Sequence, residues 1–334
     1  ALLRREAPAA RITVLERAGY PAGRFGAGRD FGGVWADIGA QVLSVVDAGS
    51  EHPNAAADGH NIGAVDVRAA WEEALALEGE GVLRRSAHDD LGDSEERMKY
   101  DGLWVHFWAT SGFGPLLRRF LREADATVRF AARAQKLVRD AGGAMDVVLS
   151  NGREEKAFDA VVLAVPACEA VGLAGDLLSP SAVDAMQRIT YDSRVCMAFA
   201  FDPALEASAS AFFGNVAEVT LDYDGGPLHL LAWQNAKRRQ RSHSPVVVAV
   251  HSCPGVAPAA AREAALHSVS CHFGVSRAVL EVLLLGEKVV DWEVCQVSRP
   301  LEGLVTDLEV KGCLRAGPLV VAGDFWTQSS FCGC

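Results

Sequence analysis

The stretch Arg11-Ile12-Thr13-Val14-Leu15-Glu16 decides the fold class. A short β-branched run ending in an acid has the form of the strand that a dinucleotide-binding α/β fold ends with a carboxylate. It follows Ala1 to Glu6, which reads as the last turns of a helix stopped by Pro8. Glu16 stands where such a fold places a carboxylate to accept hydrogen bonds from a ribose diol, although solvated acids are also common at strand ends. Further on, Gly23-Arg24 joins a glycine that lets the backbone approach a pyrophosphate to a guanidinium that neutralises it bidentately. Together the two signals favour a dinucleotide such as FAD. Ala18 to Gly39 is rich in glycine and poor in helix formers, which predicts one long loop. Within it, Gly26-Ala27-Gly28 imitates the start of a G-x-G-x-x-G turn, but Phe31 occupies the last position and no strand leads into it. Asp37-Ile38-Gly39-Ala40-Gln41 is a small-residue turn, either packed against an isoalloxazine ring or an ordinary tight turn.

Outward from this segment, Asp66 to Glu78 and Pro115 to Ala124 carry the pattern of helices. Thr127–Ala131, Gln135–Asp140 and Met145–Leu149 read as strands, with Gly142-Gly143 turning the last pair. Phe158 to Val165 is a continuous apolar run of the kind buried in a parallel sheet. After a helix at Pro180 to Ile189, the strands Arg194–Phe201, Glu218–Tyr223, Leu228–Gln234 and Val246–His251 predict a second, mostly antiparallel sheet. Ala257 to Phe273 is a helix, and Lys288–Val297 a further strand. Pro318–Ala322 is a last apolar strand, running into Gly323-Asp324 at the strand end where α/β sheets bind ligands. An Asp there also suits a helix N-cap. The expectation is an α/β chain. Its Rossmann-like domain is discontinuous, built from residues 1–65, 126–170 and 301–334, around a helical part at 66–125 and a mostly antiparallel substrate domain at 171–300.

Composition narrows the function. The 32 Lys+Arg against 43 Asp+Glu leave a net charge of −11, a field that repels phosphate backbones and excludes nucleic acid as main partner. No apolar run reaches the roughly 18 residues of a membrane span. Eight cysteines without C-x-x-C spacing, and no N-x-S/T sequon, lean toward a reduced, intracellular setting. No G-x-S-x-G elbow, P-loop or H-E-x-x-H occurs, which removes the signatures of three hydrolase and transferase groups. His267 and Cys271 share a helix face without a third ligand, so no metal is expected. Lys237-Arg238-Arg239-Gln240-Arg241 is either a phosphate-binding patch or a solvated turn. A strand-end acid such as Glu16 also allows a methyltransferase that binds the ribose of S-adenosylmethionine, or a non-catalytic relative.

Taken together, Glu16, Gly23-Arg24, Asp37 to Gln41, Phe158 to Pro166 and Gly323-Asp324 resemble the FAD-dependent amine oxidase superfamily. Within it, Ile189 to Arg194, Gln234 to Arg238 and especially Gly323-Asp324-Phe325-Trp326-Thr327-Gln328-Ser329-Ser330-Phe331-Cys332-Gly333-Cys334 are similar to the renalase-like enzymes. Ala22 departs from the superfamily pattern, standing where the first glycine of Gly-Gly-Arg is usual. The resemblance also places a strand and a glycine-rich turn before Ala1 and a helix after Cys334. It implies FAD held by Glu16, Gly23, Arg24, Asp37, Gly39, Ala40, Gln41, Ala134, Pro166, Gly323, Asp324, Thr327 and Gln328. It further implies a small dinucleotide substrate, a 2- or 6-dihydro isomer of NAD(P), oxidised with O2 to NAD(P)+ and hydrogen peroxide. Asn235, Lys237 and His251 would line the substrate side, with Trp108 and Trp233 as aromatic walls or core residues. An amine oxidase or a desaturase would keep the flavin and differ in the pocket.

Overall fold

The computed structural model describes residues 2–21, 23–46, 67–86, 104–221, 226–239, 244–300 and 314–323. In chain order, the first strands are β1 (Thr13–Leu15), β2 (Gly28–Phe31), β3 (Val34–Asp37), β4 (Leu43–Val46), β5 (Leu83–Arg85) and β6 (Trp104–Ala109). Next come β7 (Thr127–Arg129), β8 (Ala134–Arg139), β9 (Met145–Leu149), β10 (Glu154–Phe158) and β11 (Val161–Leu163). The rest are β12 (Thr190–Phe201), β13 (Glu218–Thr220), β14 (Leu228–Trp233), β15 (Val246–Ser252), β16 (Leu284–Arg299), β17 (Leu314–Ala316) and β18 (Leu319–Val321).

The largest sheet is antiparallel throughout, in the order β13-β14-β15-β12-β16. Side chains on a strand alternate between faces, and β12 separates its two faces by size. Val195, Met197, Phe199 and Phe201 point into a core shared with Val246, Val248, Val250, Leu231 and Trp233, which helices Glu206–Phe213 and Pro258–His272 cover. Cys196, Ala198 and Ala200 point the other way, toward Phe31, Val34, Ala36 and Ile38. Burial on both faces is why this strand reads as an unbroken apolar run. Small side chains on the second face let the β2–β3 hairpin lie close against the sheet.

That hairpin corrects the expectation of one long loop over Ala18 to Gly39. The segment holds a helical turn, Gly23–Gly26, and then an antiparallel pair with Gly28 opposite Asp37 and Phe31 opposite Val34. Gly32 (φ 66°) and Gly33 (φ 93°) supply the reversal, and Asp30 Oδ1 accepts the Gly33 amide at 2.7 Å. Glycine density marked the turn and the close approaches, while the apolar residues between them carry the pairing.

A second core gathers both ends of the described chain. Leu15 packs with Leu137, Met145, Val147, Leu163, Ala167, Ala170, Leu319 and Val321. Parallel pairing joins β1 to β7 and β11 to β18, and β18 lies between β11 and β17. The apolar run from Phe158 to Val165 is divided: Phe158 closes β10 opposite Met145, and β11 begins only at Val161. Ala157 is left-handed (φ 60°) and the register shifts there, which breaks the run. Leu178, Ala182, Met186 and Ile189 belong to this same core, so the boundary expected at residue 170 falls inside one packed unit. The part expected to be helical at 66–125 also contributes β5 and β6 to a three-stranded antiparallel sheet, β4-β6-β5, packed with helices Val67–Gly79 and Phe113–Glu123. Among the described residues no helix is long and apolar enough to cross a membrane.

Candidate functional site

The site is built around the turn Ile38–Gln41, where β3 ends. A Cβ on Gly39 would lie 1.8 Å from the Arg24 carbonyl oxygen and 3.3 Å from the Trp292 ring, so only glycine fits. Backbone bonds fasten the turn: Ile38 N donates to Ala27 O at 2.9 Å and Ala40 N to Arg24 O at 3.1 Å. The Arg24 guanidinium donates to the Cys295 carbonyl and sits 6.0 Å from the Tyr191 ring centre. Tyr191 Oη in turn accepts the Ala167 amide at 2.9 Å, at the start of helix Ala167–Ala174, whose N-cap is Pro166. Arg17 Nη1 donates to both carboxylate oxygens of Glu169 on that helix, at 2.7 and 2.8 Å.

Glu16 lies on the rim of the same core. One carboxylate oxygen accepts the Ala18 amide at 2.8 Å, and its carbonyl accepts the Ala132 amide at 2.9 Å, just before Ala134 opens β8. Gly323 follows β18, where Ala322 N donates to Leu163 O at 2.9 Å. Glu16, Arg24, Ala134, Pro166 and Gly323 are thus all tied to one packed unit. Asp324, Thr327 and Gln328 lie outside the described residues.

Beneath the turn runs a buried polar network that revises several expected roles. Asp37 and Arg238 pair at 2.6 Å, with their side chains 3% exposed. Asp37 Oδ1 also accepts Trp35 Nε1 at 2.9 Å and Phe113 N at 3.0 Å. Gln41 donates to the Asp37 carbonyl at 2.6 Å and the Gly39 carbonyl at 3.1 Å, while its own oxygen accepts Gln234 Nε2 at 2.9 Å. Lys237 pairs with Glu218 at 2.5 Å and donates to Gln41 Oε1 at 2.8 Å. Burial lowers its pKa first, and Glu218 opposes that. Lys237 is therefore neither a solvated residue nor a cation presented to a phosphate: its charge is spent on Glu218 and its remaining protons on the turn. Asn235 donates to Pro245 O at 2.9 Å and accepts Val247 N at 2.8 Å, which occupies both ends of its amide at the entry to β15. Trp108 and Trp233 are core residues, 2% and 1% exposed, and Trp233 stacks on Phe213.

His251 meets the turn from β15. Its Nε2 lies 2.8 Å from the Ile38 carbonyl, which can only accept, so Nε2 carries the proton. Desolvation pushes its pKa down to about 4; the hydrogen bond to Ile38 opposes this, and His229, Lys237 and Arg194 lower it by smaller amounts. The ring is neutral at neutral pH. It is a donor that holds backbone, not a base.

Four residues of this surrounding were not singled out as site residues from sequence: Tyr191, Arg194, Trp292 and Cys295. Arg194 stands opposite Trp292 in the β12–β16 register and two residues from Cys196, which pairs with His251. Its Nε and Nη1 are buried with no hydrogen-bond partner among the described residues. The Cys196 thiol is raised by its hydrogen bond with the Cys295 thiol and then by burial, whereas that same contact lowers Cys295. A signal for Arg194 exists: it is the one Lys or Arg in the run from Thr190 to Phe201.

A family model for flavin containing amine oxidoreductases matches residues 69–273. Comparison with curated proteins gives no match. A solved protein of Pyrococcus furiosus is similar at 12% identity and TM-score 0.54, over 99% of this chain and 90% of that one. An oxidoreductase of Methanosarcina mazei is similar at 12% identity and TM-score 0.52, over 99% and 93%. A reduced UDP-galactopyranose mutase aligns at 13% identity and TM-score 0.43, over 67% of this chain and 45% of its own. The chain also spans 51% of an Exiguobacterium structure, at 13% identity and TM-score 0.44. These structural likenesses are likenesses of fold.

Proposed function

This chain belongs to the flavin containing amine oxidoreductase family, and from that premise we propose that it is a FAD-dependent oxidase of 2- or 6-dihydro isomers of NAD(P), yielding NAD(P)+ and, with O2, hydrogen peroxide. The residues fit FAD. Glu16 offers a carboxylate with one oxygen taking no hydrogen bond among the described residues, and Arg24 a guanidinium at the rim. Arg194 adds two buried nitrogens in need of an acceptor beside the turn. When bound, FAD supplies a two-electron acceptor whose electrons pass on to O2.

The observation that carries the substrate reading is the state of His251. The imidazole is neutral, its proton is committed to Ile38 O, and the charged side chains that act on it, Arg194 and Lys237, are cationic. A dihydropyridine gains aromaticity as hydride leaves and needs positioning, not a base. An amine arrives as an ammonium, must lose a proton first, and is repelled by Arg24 and Arg194. Gly39 lets the turn approach the Arg24 backbone and the Trp292 ring, and Gln41 ties it down, which would hold it in place beside a flavin ring. The sequence stretches Ile189 to Arg194 and Gln234 to Arg238 support the same reading through their similarity to renalase-like enzymes. Anaerobic stopped-flow of the FAD-loaded protein tests it. Flavin absorbance should bleach rapidly with 2- or 6-dihydro-NAD(P), slowly with 4-dihydro-NADH and hardly at all with monoamines or polyamines. Faster bleaching by any amine overturns the proposal in favour of an amine oxidase.

A further inference from the structure

We infer that Arg194 is a ligand-binding residue that holds an electron-rich oxygen, a ring carbonyl of the cofactor or a carboxamide or phosphate oxygen of the substrate, beside the Ile38–Gln41 turn; the inference rests on the flavin reading above. A guanidinium keeps its charge at any physiological pH and is all donor. Buried N–H groups without an acceptor are costly, and native structures retain them where something else completes the bonding. The more deeply buried cations are treated differently. Lys237 is neutralised by Glu218 and Arg238 by Asp37, both at contact distance. Among the described residues Arg194 alone has two buried nitrogens without a hydrogen-bond partner, and no carboxylate there pairs with it.

Its place gives the missing acceptor a location. Arg194 lies on β12 between β15 and β16, with Trp292 opposite it, and Trp292 reaches the backbone of Gly39. On the neighbouring strand His251 donates to Ile38. The guanidinium therefore borders the turn from the sheet side, next to an aromatic wall that offers no lone pair and an imidazole whose free acceptor, Nδ1, bonds neither of its buried nitrogens.

The test compares native protein with Arg194→Met and Arg194→Lys. Thermal melting is read without cofactor, FAD affinity by fluorescence quenching, and NAD+ affinity of the FAD-loaded protein by flavin difference spectra. Replacing a half-buried charge that has two buried, unpartnered nitrogens by an apolar chain should leave the cofactor-free melting temperature unchanged or raise it. Arg194→Met should weaken FAD or NAD+ binding by about tenfold or more, the loss of a charge-assisted bond, with Arg194→Lys recovering part of it. Loss confined to NAD+ assigns the oxygen to the substrate, and loss of FAD affinity assigns it to the cofactor. Affinities for both within about threefold of native, or a lower cofactor-free melting temperature in Arg194→Met, overturn the inference and leave Arg194 structural. Native protein that takes up no FAD overturns the flavin reading itself, an outcome visible before any variant is made.

Discussion

At Gly39 a single methyl group would collide with backbone rather than with a side chain that could swing away. Gly39→Ala should therefore destabilise the protein by about 1–3 kcal/mol, the range for forced overpacking, seen as a lower urea midpoint. Gly19→Ala, with open space around its Cβ, should leave the midpoint unchanged apart from a small gain in chain stiffness. Lys237 carries a second residue-scale prediction. Lys237→Met strands the Glu218 carboxylate in the interior and should cost about 3–5 kcal/mol, whereas Lys237→Met combined with Glu218→Leu should recover most of it. Urea unfolding of the single and double variants gives both values. The contrast explains what was legible here. A run of cations is visible in sequence, but the acids that neutralise Lys237 and Arg238 lie on other strands, so their pairing with Glu218 and Asp37 could not be read from spacing.

Strand β15 and the turn it grips make a unit with its own pH dependence. The folded pKa of His251 lies near 4 and the unfolded value near 6.5, so the unfolded chain takes up a proton that the native protein refuses. The stability from this group is present in full above pH 6.5 and is lost as pH falls toward 4, by about 1.4 kcal/mol per pH unit. His251→Gln should flatten that part of the profile, and unfolding at pH 7, 5.5 and 4.5 compares the two slopes. Elements of this sheet were legible because their apolar runs are nearly continuous: β12, β14 and β15 follow from the runs at Val195 to Phe201, Leu228 to Trp233 and Val246 to His251. The β2–β3 hairpin was not, because its glycines outweigh the alternation of Val34, Ala36 and Ile38. Helix Ala167–Ala174 was also missed: it is short, begins right after Pro166 and buries only alanines.

Across the whole molecule, the two main cores respond separately to damage. Leu319 is fully buried against Leu163 and the helix behind it, so Leu319→Ala should cost about 2–5 kcal/mol. Hydrogen exchange should quicken at Val161–Leu163, the parallel partners of β18, and stay slow at Val246–Val250, which belong to the other core. Equal acceleration in both would mean that they unfold as one. The strand at Leu319–Val321 was legible, because Pro318 to Ala322 is a continuous apolar run. The placing of β18 between β11 and β17 was not, because register lies in no local signal. This arrangement also orders events on the ribosome. The antiparallel sheet from Thr190 to Arg299 can close as soon as its own residues emerge, whereas β11 waits beside an open edge until Leu319 and Val321 have been made. The rim that carries Glu16, Arg24 and Pro166 is therefore completed late in synthesis, and a nascent chain exposes β11 to any strand-binding neighbour in the interval.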